Sequence, residues 1–155
     1  MVKNAAGFGV VLTCLLGVAS AAAQTIAPAA GTDPMSWINH YPSDTVLGQP
    51  GFFNIPAINK KLSDMLSKDD FNLVVNVYTV ETPITMVDGY IIVSNCMPHD
   101  CGDEGDTIVY NPKTGDIVVG LIDNDAGPAG QYMNEKLYGT ADYTQLPGDV
   151  FKLLF

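Results

Sequence analysis

The sequence predicts an α+β domain: an antiparallel β-sheet of about five strands with helices packed on one face. Two observations predict it. Between positions 57 and 68, apolar residues recur at helical spacing. From position 73 to 122 the chain then breaks into short β-branched runs separated by tight-turn residues. Consecutive strands joined by short turns pair antiparallel, and a neighbouring amphipathic helix covers one face. At 155 residues the chain is one domain long enough for a real core.

In chain order, Lys3 precedes an uncharged run from Ala5 to Ala23 that ends Ala21-Ala22-Ala23. A positive start, an apolar stretch and a small-residue site mark residues 1–23 as a secretory signal peptide. The run is too short and too rich in Gly and Ala for a membrane span, so no stable membrane insertion is expected. Residues 24–50 are rich in Pro, Gly, Ala, Ser and Thr and read as a loosely structured entry segment, with Trp37, Ile38 and Tyr41 as anchors. His40, also here, reads as a surface residue. Pro56 suits a first helical turn. Ile58, Leu62, Met65 and Leu66 form the apolar stripe of the helix that follows, and Lys60, Lys61, Asp64 and Lys68 its polar side.

Leu73 to Val80 reads as the first strand, interrupted by Glu81-Thr82-Pro83. Ile84 to Val87 and Tyr90 to Ser94 flank Asp88-Gly89, a two-residue hairpin signal. Thr107 to Tyr110 and Ile117 to Ile122 flank the turn Asn111-Pro112-Lys113-Thr114-Gly115-Asp116. Asp123 to Gly130 reads as a turn, and residues 131–138 carry no decisive pattern. Leu146-Pro147 opens a short terminal helix, with Val150, Phe151 and Leu154 facing inward.

Lys and Arg number 7 against 17 Asp and Glu, a net charge of −10, and there is no Arg. Such a surface argues against nucleic acid and anionic membrane and favours a basic partner; its plainer reading is solubility alone. Phosphate loops, serine-hydrolase elbows and zinc-protease helices are all absent from the sequence.

The chain's chemistry concentrates in Cys96-Met97-Pro98-His99-Asp100-Cys101. Export implies an oxidising compartment, so Cys96 and Cys101 are expected to form a disulfide. Pro98 suits the second position of a turn over Met97 to Asp100, which puts His99 near its apex. Closing so short a ring removes about 2 kcal/mol of unfolded-chain entropy in the simplest treatment, so the larger effect is a stiff loop. Other readings are weaker. Zinc would need the thiolates that oxidation removes, and no metal or cofactor is expected. A redox centre would have C-x-x-C spacing. Hydrolysis by His99 and Asp100 lacks a placed nucleophile, Ser94 being the nearest. The acidic run Asp103, Glu104, Asp106 could hold Ca²⁺ weakly, but such a run is more often a solvated loop; Asp123-Asn124-Asp125 resembles the start of a calcium loop but lacks the downstream Gly and bidentate Glu.

This loop resembles the C-x-P-H-x-C loop of the Ivy family, the periplasmic inhibitors of vertebrate-type lysozyme. Val87-Asp88-Gly89-Tyr90-Ile91-Ile92-Val93 resembles the family's strand entry, and Asn111-Pro112-Lys113-Thr114-Gly115 its following hairpin. The family pattern often carries Lys where this chain has Met97. The resemblance spans about residues 50–155, so residues 51–155 are expected to form an Ivy-like inhibitor domain. It implies a partner, a basic vertebrate-type lysozyme, and a target-binding loop of Cys96, Met97, Pro98, His99, Asp100 and Cys101. His99 would be the inhibitory residue and Asp100 a brace within the loop. It implies no catalysis and a periplasmic or secreted location. The alternative is an envelope-associated binding or structural domain whose disulfide loop is only a staple. A homodimer is neither required nor excluded by the sequence.

Overall fold

A computed structural model describes residues 32–123 and 134–155. The expected leader at 1–23 and most of the turn expected at 123–130 lie outside the described residues. The sheet is antiparallel throughout. Its strands are β3 (Val80–Glu81), β4 (Thr85–Val87), β5 (Tyr90–Cys96), β6 (Gly105–Tyr110), β7 (Ile117–Asp123) and β8 (Asn134–Gly139), preceded by a separate two-residue hairpin of β1 (Thr45–Val46) and β2 (Gln49–Pro50). Both β3 and β4 pair with β5, at its two ends, and the order continues β5-β6-β7-β8. The outer row is therefore one strand broken at Thr82-Pro83-Ile84, and the sheet is five rows wide.

Local chemistry explains the hairpins. Asp88 and Gly89 both have positive φ, 50° and 84°, as the predicted two-residue turn requires. The turn after β6 places Gly115 at φ 75°, and the Asn111 side chain accepts from the Lys113 amide at 3.0 Å.

Alternation along the strands gives the sheet two apolar faces. Ile91, Val93, Ile108, Ile117, Val119 and Leu121 face the larger core, against α1 (Pro56–Met65), α2 (Lys68–Asn72) and the entry segment. Within that segment Trp37 is fully buried and meets Phe52 edge-on at 5.8 Å between ring centres. The described part of the entry segment is thus ordered around Trp37, while Ile38 is half-buried and Tyr41 exposed. His40 is exposed as expected, with Asp44 3.4 Å away. The opposite face holds a smaller cluster of Ile92, Val109 and Val118, closed by Val150 of α3 (Gly148–Phe151) and by Leu154. Phe151, expected to pack inward, is exposed and stacks on Tyr143 at 6.4 Å.

The segment expected as a strand from Leu73 is helical. The first helix ends at Met65, Leu66 is extended, and Ser67 caps a second helix by accepting from the Asp70 amide at 3.1 Å. That helix continues as a π turn over Leu73–Val77, where the Tyr78 amide donates to the Leu73 carbonyl. The wider turn lets both Val74 and Tyr78 reach the core. Burial of these side chains overrides the β preference of Val and Tyr. Only Val80–Glu81 remains a strand. The undecided stretch 131–138 contributes β8, from Asn134 onward.

Candidate functional site

Cys96 ends β5 and Gly105 begins β6, and the two are paired in the last rung of that ladder. Eight residues lie between them. The Met97 amide donates to the Glu104 carbonyl at 3.1 Å, so the hairpin narrows by one further step. The Asp100 amide donates to the Met97 carbonyl at 3.1 Å, which closes a turn with Pro98 and His99 at its centre. His99 has φ 73°, the left-handed value that the third position of a type II turn requires. The return arm is held by the Asp100 carbonyl, which accepts from the amides of Asp103 at 3.1 Å and Glu104 at 2.9 Å. A disulfide joins Cys96 to Cys101, with their Cα atoms 4.9 Å apart.

The six loop residues are therefore one small ring. Pro98, His99 and Cys101 are exposed, Cys96, Met97 and Asp100 half-buried, and Met97 packs against the larger core. Met97 thus ties the ring to the body while His99 faces water. Ser94, the hydroxyl nearest to His99 in sequence, is hydrogen-bonded to Thr107 at 3.0 Å. An open pocket of about 230 Å³ lies against the disulfide, lined by Cys96, Cys101, Ser94, Thr107, Ile122 and Leu153 among others.

Beneath the ring lies a feature that sequence reasoning missed. Asn95 and Asp106 are opposite one another on β5 and β6, each buried. The acidic run Asp103, Glu104, Asp106 is not all solvated loop: the position of Asp106 inside β6 turns it into the core. Burial pushes its carboxyl well above the usual carboxylate range, and the Asn95 amide draws it only partly back. The two side chains are close, yet none of their four polar atoms has a hydrogen bond of ordinary geometry. The sequence signal was the alternation: Val93, Asn95 and Ile108, Asp106 share one face.

A second missed group holds the sheet's far edge. Buried Asp70 accepts from Lys136 at 2.7 Å, from Tyr138 at 2.6 Å and from Ser67 at 2.7 Å. Burial pushes its carboxyl up, but these hydrogen bonds prevail and hold it below the ordinary value. Asp70 in turn raises Lys136, which also reaches Asp123 at 3.4 Å. Ser67-x-x-Asp70 is a readable capping signature; its partners on β8 are not. Among the described residues no helix is long and apolar enough to cross a membrane.

No curated protein and no solved structure matches the chain significantly. The family model described as inhibitor of vertebrate lysozyme (Ivy) matches residues 57–150, an interval that begins at the first helix and takes in the whole sheet and the disulfide ring. With more than half of its length matched, the chain belongs to the Ivy family, the inhibitors of vertebrate lysozyme.

Proposed function

We propose that this protein is an exported inhibitor that closes the active-site cleft of a lysozyme with the Cys96–Cys101 ring, His99 leading. The observation that carries the reading is the combination at His99: exposed, in a left-handed conformation, inside a disulfide-closed turn. A non-glycine residue in that conformation costs about 1–2 kcal/mol. Gly is the residue that fits the position without cost, so a histidine there calls for a role outside the fold.

The chemistry follows from the target. A glycosidase of this kind sets a protonated carboxylic acid and a carboxylate on opposite sides of its cleft. An imidazole carries two nitrogens on opposite edges, so one ring can hydrogen-bond both groups. The ring holds that imidazole ready, and little ordering is needed on docking. Asp100 braces the turn from within. The net charge of −10 complements a basic enzyme and speeds encounter more than it deepens affinity. The protein performs no catalysis in this reading. Its leader is removed near Ala23 on export to the periplasm or beyond, which intact mass of the exported protein reads.

The test is a turbidity assay on bacterial cell walls. Mature protein added at increasing concentration slows clearing by a basic vertebrate-type lysozyme to a saturating limit. Full activity at micromolar excess, with the protein folded, removes the reading and leaves the ring as a staple.

A further inference from the structure

Asn95 and Asp106 lie one rung below the point where the ring begins. They face each other across β5 and β6, each 4 % exposed, and the next rung is Cys96 opposite Gly105. That rung is tight. A Cβ at Gly105 would stand 2.8 Å from the Asn95 carbonyl oxygen and 3.2 Å from the Cys96 Cβ. A buried polar pair without hydrogen bonds destabilises a core relative to apolar residues of the same shape. Packing alone therefore does not account for the pair.

We propose that Asn95 and Asp106 are positioning residues of the inhibitory ring: as an amide–acid pair they fix the foot of the β5–β6 hairpin and, through it, the pose of His99. This deepens the lysozyme-binding reading and rests on it. A carboxylic acid and a primary amide are complementary. An acid O–H can donate to an amide oxygen and an amide N–H to an acid carbonyl, a pairing that a small adjustment of these two facing side chains would complete once Asp106 holds its proton. A carboxylate has no proton to give, and its charge here would be buried without a counter-charge. The surroundings keep the acid form. Leu121 of β7 pairs with Asp106 on the other side. Lys136 of β8, the cation in the same row, is held by Asp70 and Asp123. From the π turn comes Tyr78, whose phenol is raised by burial and by the charges of Asp123, Glu104, Asp106 and Asp70. Burial likewise holds the Asp106 carboxyl protonated well above the usual range. Ionisation of Asp106 would take away the proton on which the pairing depends, and the foot of the ring would loosen.

The experiment compares the full mature chain with Asp106→Asn and Asp106→Ala at pH 5. Asn keeps the shape and can still pair with the Asn95 amide; Ala removes the partner. The first readout, on free protein, is hydrogen-exchange protection of the Met97 and Glu104 amides, referenced to Val109 and Val118 in mid-ladder. Asp106→Asn stays within threefold of wild type in that relative protection, and Asp106→Ala loses at least tenfold. The second is Kd for a basic vertebrate-type lysozyme: Asp106→Asn binds within threefold of wild type and Asp106→Ala at least fivefold more weakly. Full relative protection in Asp106→Ala, or a loss in Asp106→Asn as large as that in Asp106→Ala, overturns the proposal. Absence of binding by every variant, wild type included, overturns the lysozyme reading instead, and the exchange readout still decides the positioning role.

Discussion

The Tyr138 hydroxyl donates to Asp70 at 2.6 Å, joining the outermost strand to the helix that Ser67 caps, 68 residues earlier in the chain. Lys136 meets the same carboxylate from the same strand at 2.7 Å. This one acidic side chain therefore holds β8 and α2 together.

Replacing Asp70 by Asn tests that clamp. Hydrogen bonds to a charged group contribute about 1.5–3 kcal/mol each, less where Lys136 is partly open to solvent. We expect a loss of about 2–3 kcal/mol at pH 7, read as a drop in Tm. The pH dependence has a definite sign. The Asp70 carboxyl is depressed in the folded state, so its contribution is present above the ordinary carboxylate range and is lost as pH falls through the depressed folded value. The Tm gap between wild type and Asp70→Asn therefore closes below about pH 4. A gap that persists in acid means that the contribution is steric, not ionic.

Asp106→Asn carries the opposite sign. Folded Asp106 holds its proton above the range where the unfolded carboxyl has lost it. Wild-type stability therefore falls from the unfolded value, about pH 4, up to the folded one, and Asn is spared that loss. Asp106→Asn melts above wild type at pH 7 and level with it at pH 3.5. Equal melting temperatures at pH 7 would contradict the burial-driven shift.

His99 separates function from fold. Ala removes the hydrogen bonds that the proposal assigns to the imidazole and weakens inhibition at least tenfold, taking about 1.5–3 kcal/mol for each bond to a charged group. Gly removes them too, but suits φ 73° better than any side chain. His99→Gly therefore inhibits as poorly as His99→Ala while its Tm is no lower than that of wild type. Inhibition constants and melting curves for the pair read both halves. A folded His99→Ala with undiminished inhibition removes the imidazole from the mechanism.

Cys96→Ser with Cys101→Ser opens the ring. The bridge spans five positions, and so small a closure contributes about 2 kcal/mol, little of it to the core. The double variant stays folded and inhibits more weakly, as thermal melting and inhibition assays on the same sample show. If it unfolds, the bridge supports the core and not only the loop.

Gly120 lies on β7 beneath the C-terminal segment, and a Cβ there would run into the Leu154 carbonyl. Gly120→Ala pushes that segment off the sheet, where Leu154 and Val150 close the smaller core. We expect a loss of about 1–3 kcal/mol. Limited proteolysis reads the displacement as earlier cleavage near Phe151 or Leu153. An unchanged digestion pattern would show that the segment shifts without detaching.

What the sequence made legible is what short range decides. Asp88-Gly89, the Asn111 to Gly115 turn and the Pro98 turn each carry their own backbone chemistry, and each stands where it was expected. The stretch from Leu73 to Val77 has a strand-like pattern, but its helical form is fixed by partners far along the chain. Strand β8 gave no pattern because it is an edge, exposed or half-buried along its length. At the site, the ring was visible and its foundation was not. Pairing Asn95 with Asp106 needs the β5–β6 register, which the spacing between Cys96 and Cys101 does not fix.

The break in the outer row at Thr82-Pro83-Ile84 bears on how the protein behaves when crowded. Two strands of two and three residues, with a proline between them, present no unbroken row of free amides and carbonyls. Strands as apolar as Tyr90–Cys96 and Ile117–Asp123 lie shielded inside the sheet. A neighbouring chain cannot extend the sheet along such an edge. Along this margin, at least, the apolar sheet gives a second molecule nowhere to start.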